Sequence, residues 1–316
     1  MIEKYSEIKK IYDDIKNLNI QGATNVAIAT LEGMKMYINV SNEKEKELFY
    51  KELIKVGREL SLARDNEPMA KNGVTFVEYS FGQLYSDLPE LNTMKREVDK
   101  LCDQFLDMVA KSKKDLLEKS SNFFGNFTKV FTHCHSSTAE SLIISMSKEK
   151  KNFKAVCTET RPKLQGRITA QNLLNGGVDT TLIADSAAES FIIGRGSVPV
   201  EILFIGCDMI TSGGHTVNKI GSWGIGMAAH YADKPMYVVT PILKMDPDSY
   251  IHNLKIEIRE SSELWENAPV GLHMYNPAFE IVDSKLITGY VTELGIIRPN
   301  DIEKVALQAY PWIIQK

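Results

Sequence analysis

Cysteine is scarce in this 316-residue chain. Its four cysteines, Cys102, Cys134, Cys157 and Cys207, are too few and too scattered for a disulfide framework or a CxxC zinc site, and they fit a reducing compartment. Positive charge is not in excess either. Lys and Arg total 37 against 41 Asp and Glu, a net charge of −4, which argues against a dedicated nucleic-acid binder. No stretch approaches the ~18 consecutive apolar residues of a membrane helix. The opening MIEKYSEIKKIYDDIKNLNI is a charged amphipathic pattern without the apolar centre of a secretory signal, so a cytoplasmic protein with no membrane contact is expected. GxxxxGK[ST] is missing, as is GxGxxG at a first βα turn, which disfavours a nucleoside triphosphatase or a dinucleotide dehydrogenase. There is no internal repeat and no low-complexity tract.

What is present is enough apolar residue, 43% of the chain, to build a sizeable core, and length for about two domains. The first ~120 residues read as mainly helical. Ile8, Ile11, Ile15 and Leu18 recur at helical spacing, an apolar run follows Gly22, and Leu48, Leu53, Val56 and Leu60 form another stripe. Asn42 is a candidate cap for that third helix. Residues 64–73, polar and containing Pro68, read as a loop, and a long helix is expected from Leu91 to about Lys119. Near Asn122 the pattern changes. Five short apolar strands alternate with helices, the pattern of βαβ units. The expected fold is therefore α/β: an N-terminal helical domain (1–121) followed by a Rossmann-like domain (122–316) with a parallel sheet and helices on both faces.

In such sheets ligands sit beyond the carboxyl ends of the strands. Every predicted strand end here carries polar or ionisable groups: Thr132 to Thr138, Thr158 to Pro162, Asp185-Ser186, Gly206 to Asp208 and Lys244. Cys134 stands where a helix should begin, between two histidines. That setting lowers a thiol pKa and favours a thiolate base or nucleophile, whereas a small buried hydrophobe is the ordinary alternative. On an extended segment His133 and His135 point to the face opposite Cys134, and no further Cys/His cluster completes a metal site. Asp208 ends an apolar strand and is either a turn former or a partly desolvated general acid. Asn218-Lys219, read as the start of a helix, suits an anion. Arg161 and Lys163 either bind an anion or pair with Glu159 and Asp185.

THCHS, TETRPKLQGRITAQNL, LIADSAA, GCDMIT and GGHTVNKIGS, in this order and spacing, resemble the initiation factor 2B-like sugar-phosphate isomerase superfamily, most of all its ribose-1,5-bisphosphate isomerase branch. NIQGATNVA, Arg64, MYNPAFEIV and VTELGIIRPN extend the resemblance over nearly the whole chain. Isomerases of this superfamily carry a cysteine after the first strand and an aspartate after the fourth, a pair that its non-catalytic regulatory subunits usually lack. The resemblance thus implies Cys134 and Asp208 as catalytic residues. Among the implied substrate contacts, Gly22, Ala23, Arg64, Ser136, Asn218, Lys219 and Lys244 match. Gln21 stands where an arginine is usual, Ser137 where the bisphosphate branch commonly has lysine, and Asp65-Asn66 where Pro-Thr usually follows the arginine.

The implied activity is an aldose–ketose isomerisation of a ring-closed ribose 1-phosphate, with ribose 1,5-bisphosphate going to ribulose 1,5-bisphosphate. Asp208 would protonate the ring oxygen and Cys134 would move the proton from C2 to C1. No metal or redox cofactor is implied, and the expected partners are a sugar phosphate and further copies of this chain, in a homodimer or larger assembly. The departures at Gln21 and Ser137 remove up to two positive charges, each typically worth ~1.5–3 kcal/mol in a charge-assisted phosphate contact. The alternatives are therefore an isomerase of another sugar 1-phosphate, such as 5-methylthioribose 1-phosphate, and a regulatory subunit of the initiation factor 2B type.

Overall fold

The computed structural model describes residues 1–85, 90–120, 123–148 and 150–314. The chain divides into two compact units. One comprises Met1–Lys111, Leu243–Pro247 and Lys304–Lys316; the other comprises Ser112–Ile242 and Asp248–Glu303.

The first unit is helical, with α1 (Ser6–Lys16), α2 (Ala23–Val40), α3 (Lys46–Ser61), α4 (Pro68–Leu84) and α5 (Leu91–Ser120), the last running on past Lys111. The helices form because apolar side chains recur on one face. Phe49, Leu53, Val56 and Leu60 of α3 are fully buried, as are Leu31, Met34 and Tyr37 of α2. Two sequence expectations fail locally. Asn42 does not cap α3, which begins at Lys46 with Glu45 at its N-cap and no side-chain cap. The loop expected over 64–73 ends at Glu67, because Pro68 opens α4; proline has no N–H to lose in a first turn, and its fixed φ suits a helix start.

The division expected at 121/122 falls on residues outside the described ones, and the compact units part at 111/112 instead. The helical unit also recruits two late segments that periodicity does not reveal. Asn72 donates from Nδ2 to the carbonyls of Leu243 and Met245, 2.8 Å each. Trp312 packs edge-on against Phe76 and Phe105, with centroids 5.3 and 5.9 Å away.

The strands, in chain order, are β1 (Lys129–Thr132), β2 (Lys154–Thr158), β3 (Asp179–Ile183), β4 (Ile202–Ile205), β5 (Met209–Thr211), β6 (Thr216–Lys219), β7 (Met236–Val239), β8 (Met245–Asp246, in the first unit), β9 (Phe279–Val282), β10 (Gly289–Thr292) and β11 (Gly295–Ile297). The large sheet of the second unit has the order β11-β10-β7-β4-β1-β2-β3. Every neighbouring pair is parallel except β10–β11. Its central strands are short apolar runs, as strands covered on both faces must be; all four residues of β4 are buried.

The helices of this unit are α6 (Ser137–Ser147), α7 (Gln165–Asn175), α8 (Ala188–Ile192) and α9 (Ser222–Tyr231); α10 (Ile302–Ala309), after β11, belongs to the first unit from Lys304 onward. The chain steps outward through β1, β2 and β3, then returns to β4 and continues to β7. Right-handed crossovers in opposite directions put α6 and α7 on one face and α8 and α9 on the other, and each pair packs together.

One stretch departs from expectation. Asn218-Lys219 do not start a helix. They end β6, which pairs antiparallel with β5 and β9 in a second sheet, with Asn218 opposite Glu280 and Lys219 opposite Phe279. α9 begins only after Gly221, whose φ of +104° suits glycine.

Glycine freedom also gives a contrast that experiment can read. A Cβ at Gly166 would lie 1.7 Å from the carbonyl oxygen of Thr158, whereas one at Gly82, exposed near the end of α4, meets nothing within 4 Å. Gly166→Ala is expected to destabilise by about 3 kcal/mol and Gly82→Ala to stabilise by roughly 0.5–1 kcal/mol, read as opposite shifts of the urea midpoint.

Candidate active site

The strand order places β1 beside β4, with Val130 opposite Ile202 and Phe131 opposite Leu203. The chain leaves these two strands toward opposite edges of the sheet, which opens a crevice at their carboxyl ends. The segment after β1 brings Cys134 to this switch point, and the segment after β4 brings Asp208. The two strand ends approach closely: a Cβ at Gly206 would lie 2.6 Å from Cβ of Ser136.

Cys134 has a left-handed backbone, φ +67°. A non-glycine residue in that region carries about 1–3 kcal/mol of strain and persists only where its surroundings hold it. Here two threonines do so. The Cys134 N–H donates to Oγ1 of Thr160 at 3.1 Å, and Oγ1 of Thr169 donates to the Cys134 carbonyl at 3.0 Å. Thr160 is itself left-handed, φ +62°. Its N–H and that of Arg161 both donate to the Asp185 carboxylate, at 2.7 and 2.6 Å.

This turn overrides the alternation expected across His133, Cys134 and His135. His133 is buried, with Nδ1 2.6 Å from Oγ1 of Thr158 and Nε2 3.0 Å from the carbonyl oxygen of Ile220. Burial holds its pKa below the ordinary 6.5. His135 instead sits with Nδ1 3.1 Å from Oγ1 of Thr169 and 3.4 Å from Oε2 of Glu140. No group of three or more His, Cys, Asp and Glu among the described residues is placed to hold a metal ion.

The thiolate expectation is also corrected. Ser136 is the N-cap of α6, accepting from the Ala139 N–H at 3.3 Å, so Cys134 lies two residues outside the helix. Desolvation pushes its thiol up to about 11, against the pull of Lys219 and of an N–H from His135, while Asp208 and Asp185 push the same way as burial. The resting sulfur therefore carries its proton. Lys219 is only 7% exposed; its ammonium lies 5.0 Å from the centroid of Phe279, and it has no carboxylate within ion-pair distance among the described residues. Neighbouring Asn218, also buried, donates to Oγ of Ser222 at 2.9 Å.

The start of α9 is not open to an anion. Oε1 of Glu280 already accepts from the N–H groups of Gly221 and Trp223, at 2.6 and 2.8 Å. Burial raises the carboxyl pKa of Glu280, opposed by those same N–H groups. Sequence pattern alone does not single out Glu280 or Thr169; the one signal for Glu280 is a charge inside the apolar run AFEIV. The side chains of Arg161 and Lys163 pair elsewhere than expected. Arg161 donates to the Leu264 carbonyl, Lys163 meets Glu263 at 3.0 Å, and Glu159 takes Arg167 at 2.9 Å.

Thus Cys134, Ser136, Ser137, Asp208, Asn218 and Lys219 belong to the sheet unit, while Gln21, Gly22, Ala23, Arg64 and Lys244 belong to the helical unit. Ser137 is the exposed first residue of α6. Gln21 is exposed, and its side-chain amide donates to the Leu18 carbonyl at 2.7 Å. Gly22 is the N-cap of α2 at φ +82°, and Ala23, the first helical residue, is buried. Arg64 donates to Oε1 of Glu67 at 2.8 Å, with 7% of its side chain exposed. Lys244 ends a short 3₁₀ turn, Ile242–Lys244, and is half-buried.

The model of the Initiation factor 2 subunit family matches residues 19–299. The chain is 32% identical to a ribose 1,5-bisphosphate isomerase of Methanocaldococcus jannaschii, over 99% of each chain. It is 31% identical to a methylthioribose-1-phosphate isomerase of Symbiobacterium thermophilum, over 94% of this chain and 86% of that one. In fold it resembles the crystal structure of a Pyrococcus horikoshii OT3 protein described as translation initiation factor eIF-2B. The TM-score is 0.78 and the identity 22%, over 93% of this chain and 97% of that one.

Two outcomes follow from the electrostatics. Lys219→Met removes the cation that favours the thiolate, so alkylation of Cys134 by iodoacetamide at pH 9 should slow by roughly three- to tenfold. His133 is held neutral in the folded state, so its contribution to stability is complete above 6.5 and is lost as pH falls below that value toward its lowered folded pKa. The fall in urea midpoint between pH 7.5 and 5.0 should shrink in His133→Asn.

Proposed function

We propose that this chain, which belongs to the initiation factor 2 subunit family, is an aldose–ketose isomerase that converts a ring-closed ribose 1-phosphate derivative, ribose 1,5-bisphosphate first, to the 2-keto sugar phosphate. The observation that carries the reading is Lys219: a buried ammonium without a carboxylate partner among the described residues, close enough to Cys134 to act on its thiol. A buried cation left without a counter-ion calls for an anionic ligand, and here it stands at the switch crevice beside a cysteine and an aspartate.

The chemistry suits two groups that share one proton. At rest that proton is on sulfur, since burial and Asp208 both disfavour the thiolate. The reactive arrangement moves it to the Asp208 carboxylate and leaves the thiolate beside Lys219. Asp208 then protonates the ring oxygen as the bond from C1 to that oxygen breaks. Cys134 takes the hydrogen from C2, and a C1–C2 double bond forms. The resulting 2-hydroxyl returns its proton to Asp208 as the thiol delivers hydrogen to C1, giving the ketone and restoring both groups. Hydrogen moves within the substrate, so the step is redox-neutral and calls for no redox cofactor. Lys219 and Arg64 are proposed to hold phosphate, with Lys244, Asn218, Ser136 and the backbone from Gln21 to Ala23 completing the contacts.

Gln21 and Ser137 support a second reading of the substrate. Neither brings a positive charge, and the Gln21 amide is engaged with its own loop. A sugar 1-phosphate with an uncharged group at C5, such as 5-methylthioribose 1-phosphate, needs no second phosphate contact. The proposal also includes assembly into a homodimer or larger homo-oligomer, read by light scattering, and work in the cytoplasm.

A panel of sugar 1-phosphates, with products identified by NMR, tests the reaction and separates the substrates. Cys134→Ser and Asp208→Asn are each expected to lower kcat by about 10²–10⁴-fold while circular dichroism stays unchanged. Full activity in either variant, or ligand binding without turnover across the panel, would sink the proposal and favour a regulatory subunit.

A further inference from the structure

Cys134 is held by a chain of hydrogen bonds whose direction can be worked out. The carbonyl of Ile220 can only accept, so Nε2 of His133, 3.0 Å away, carries the ring proton. In the neutral ring Nδ1 is then an acceptor, and the Thr158 hydroxyl at 2.6 Å must donate to it. With its proton committed, Thr158 Oγ1 accepts from the Thr160 hydroxyl at 3.2 Å. Thr160 Oγ1 in turn accepts the N–H of Cys134 at 3.1 Å. Each link has one allowed direction, from the Cys134 N–H through two hydroxyls and an imidazole to a main-chain carbonyl.

The other side of Cys134 is built alike. A carbonyl fixes the Thr169 hydroxyl as donor, so Oγ1 of Thr169 accepts from His135, whose proton must then be on Nδ1. The two histidines flanking the cysteine thus hold opposite tautomers, each setting the direction of a threonine that grips one side of the Cys134 peptide backbone. His133, Thr158, Thr160 and Thr169 are all buried, with Thr158 and Thr160 fully so. None of them is needed to bind phosphate or to move a proton in the proposed reaction.

We infer that Thr158, Thr160 and His133, with Thr169 and His135 on the other side, are positioning residues that lock Cys134 in its left-handed conformation and so aim its sulfur at the crevice. This deepens the isomerase reading and rests on it for its effect on turnover, but the aim of the sulfur is a property of the resting protein.

Thr158 gives the cleanest test, because it touches neither Cys134 nor any proposed substrate contact by hydrogen bond. Thr158→Val keeps the shape and deletes the hydroxyl; Thr158→Ser keeps the hydroxyl and deletes a methyl. A packing role follows the methyl, whereas a positioning role follows the hydroxyl. Thr158→Val is therefore expected to lose tenfold or more in kcat on ribose 1,5-bisphosphate with KM within threefold. Thr158→Ser should keep kcat within threefold of the parent even though it melts lower. Alkylation of Cys134 by iodoacetamide, resolved from Cys102, Cys157 and Cys207 by peptide mass spectrometry, should change at least threefold in Thr158→Val and less than that in Thr158→Ser. That arm uses no sugar phosphate, so it decides the inference even if the parent turns over no member of the panel. A change below threefold in Cys134 alkylation for Thr158→Val, or Thr158→Ser as impaired as Thr158→Val, would overturn it. Should Thr158→Val fail to fold, Thr160→Val against Thr160→Ser makes the same comparison.

Discussion

The carboxyl end of the large sheet is organised around the left-handed backbone of one residue, Cys134. An L-residue resists that conformation, so the elements around it are arranged to enforce it. β2 ends at Thr158, and Thr160 turns back by adopting the same conformation, anchored through its N–H to Asp185. α7 brings Thr169 to the other side of the cysteine. Glycines clear the room this takes. A Cβ at Gly166 would meet the Thr158 carbonyl oxygen at 1.7 Å and the Thr160 hydroxyl at 2.8 Å, and one at Gly221 would crowd the His133 ring at 3.2 Å. A side chain at either place would press on the hydrogen-bond chain that fixes the cysteine, so these glycines serve the site without touching a ligand.

The sulfur sits in opposed fields. Burial, Asp208 and Asp185 favour the thiol, while Lys219 and the His135 N–H favour the thiolate. Burial is the largest of these and sets the thiol as the resting form, while the charges around it decide how readily the proton leaves. A thiol kept protonated at rest also resists oxidation and adventitious alkylation, since the thiolate is the reactive form. Glu280 contributes a related economy. By satisfying the first N–H groups of α9 with a carboxylate of the same chain, it leaves the Lys219 ammonium rather than a helix end as the cation of this crevice.

The parallel sheet was legible in the sequence because its strands are buried on both faces and read as short apolar runs between helical segments. The element that misled was Thr216 to Lys219. Its residues are polar enough to pass for a helix start, yet they pair with β9, some sixty residues further along, and no local pattern encodes a partner at that distance. The same holds for Cys134. Its place after β1 could be read, and the motifs around it pointed to a family, but the alternation assumed for His133 and His135 presumes a straight strand. The turn that breaks it depends on hydroxyls from β2 and α7. The expected thiolate failed for a related reason: helix proximity is visible in a sequence, whereas desolvation by the surrounding fold is not. The contiguous division at 121/122 missed that Asn72, Phe76 and Phe105 are completed by residues 243–247 and by Trp312.

That last feature bears on how the protein is made. Synthesis runs from the amino end, and domains ordinarily fold in the order in which they emerge. Here the helices made first lack the indole that packs against Phe76 and Phe105 until residue 312 has been added. The Asn72 side chain waits likewise for two carbonyls from the far side of the sheet sequence. The helical unit thus begins first on the ribosome, and its core is completed only when these late segments have been made.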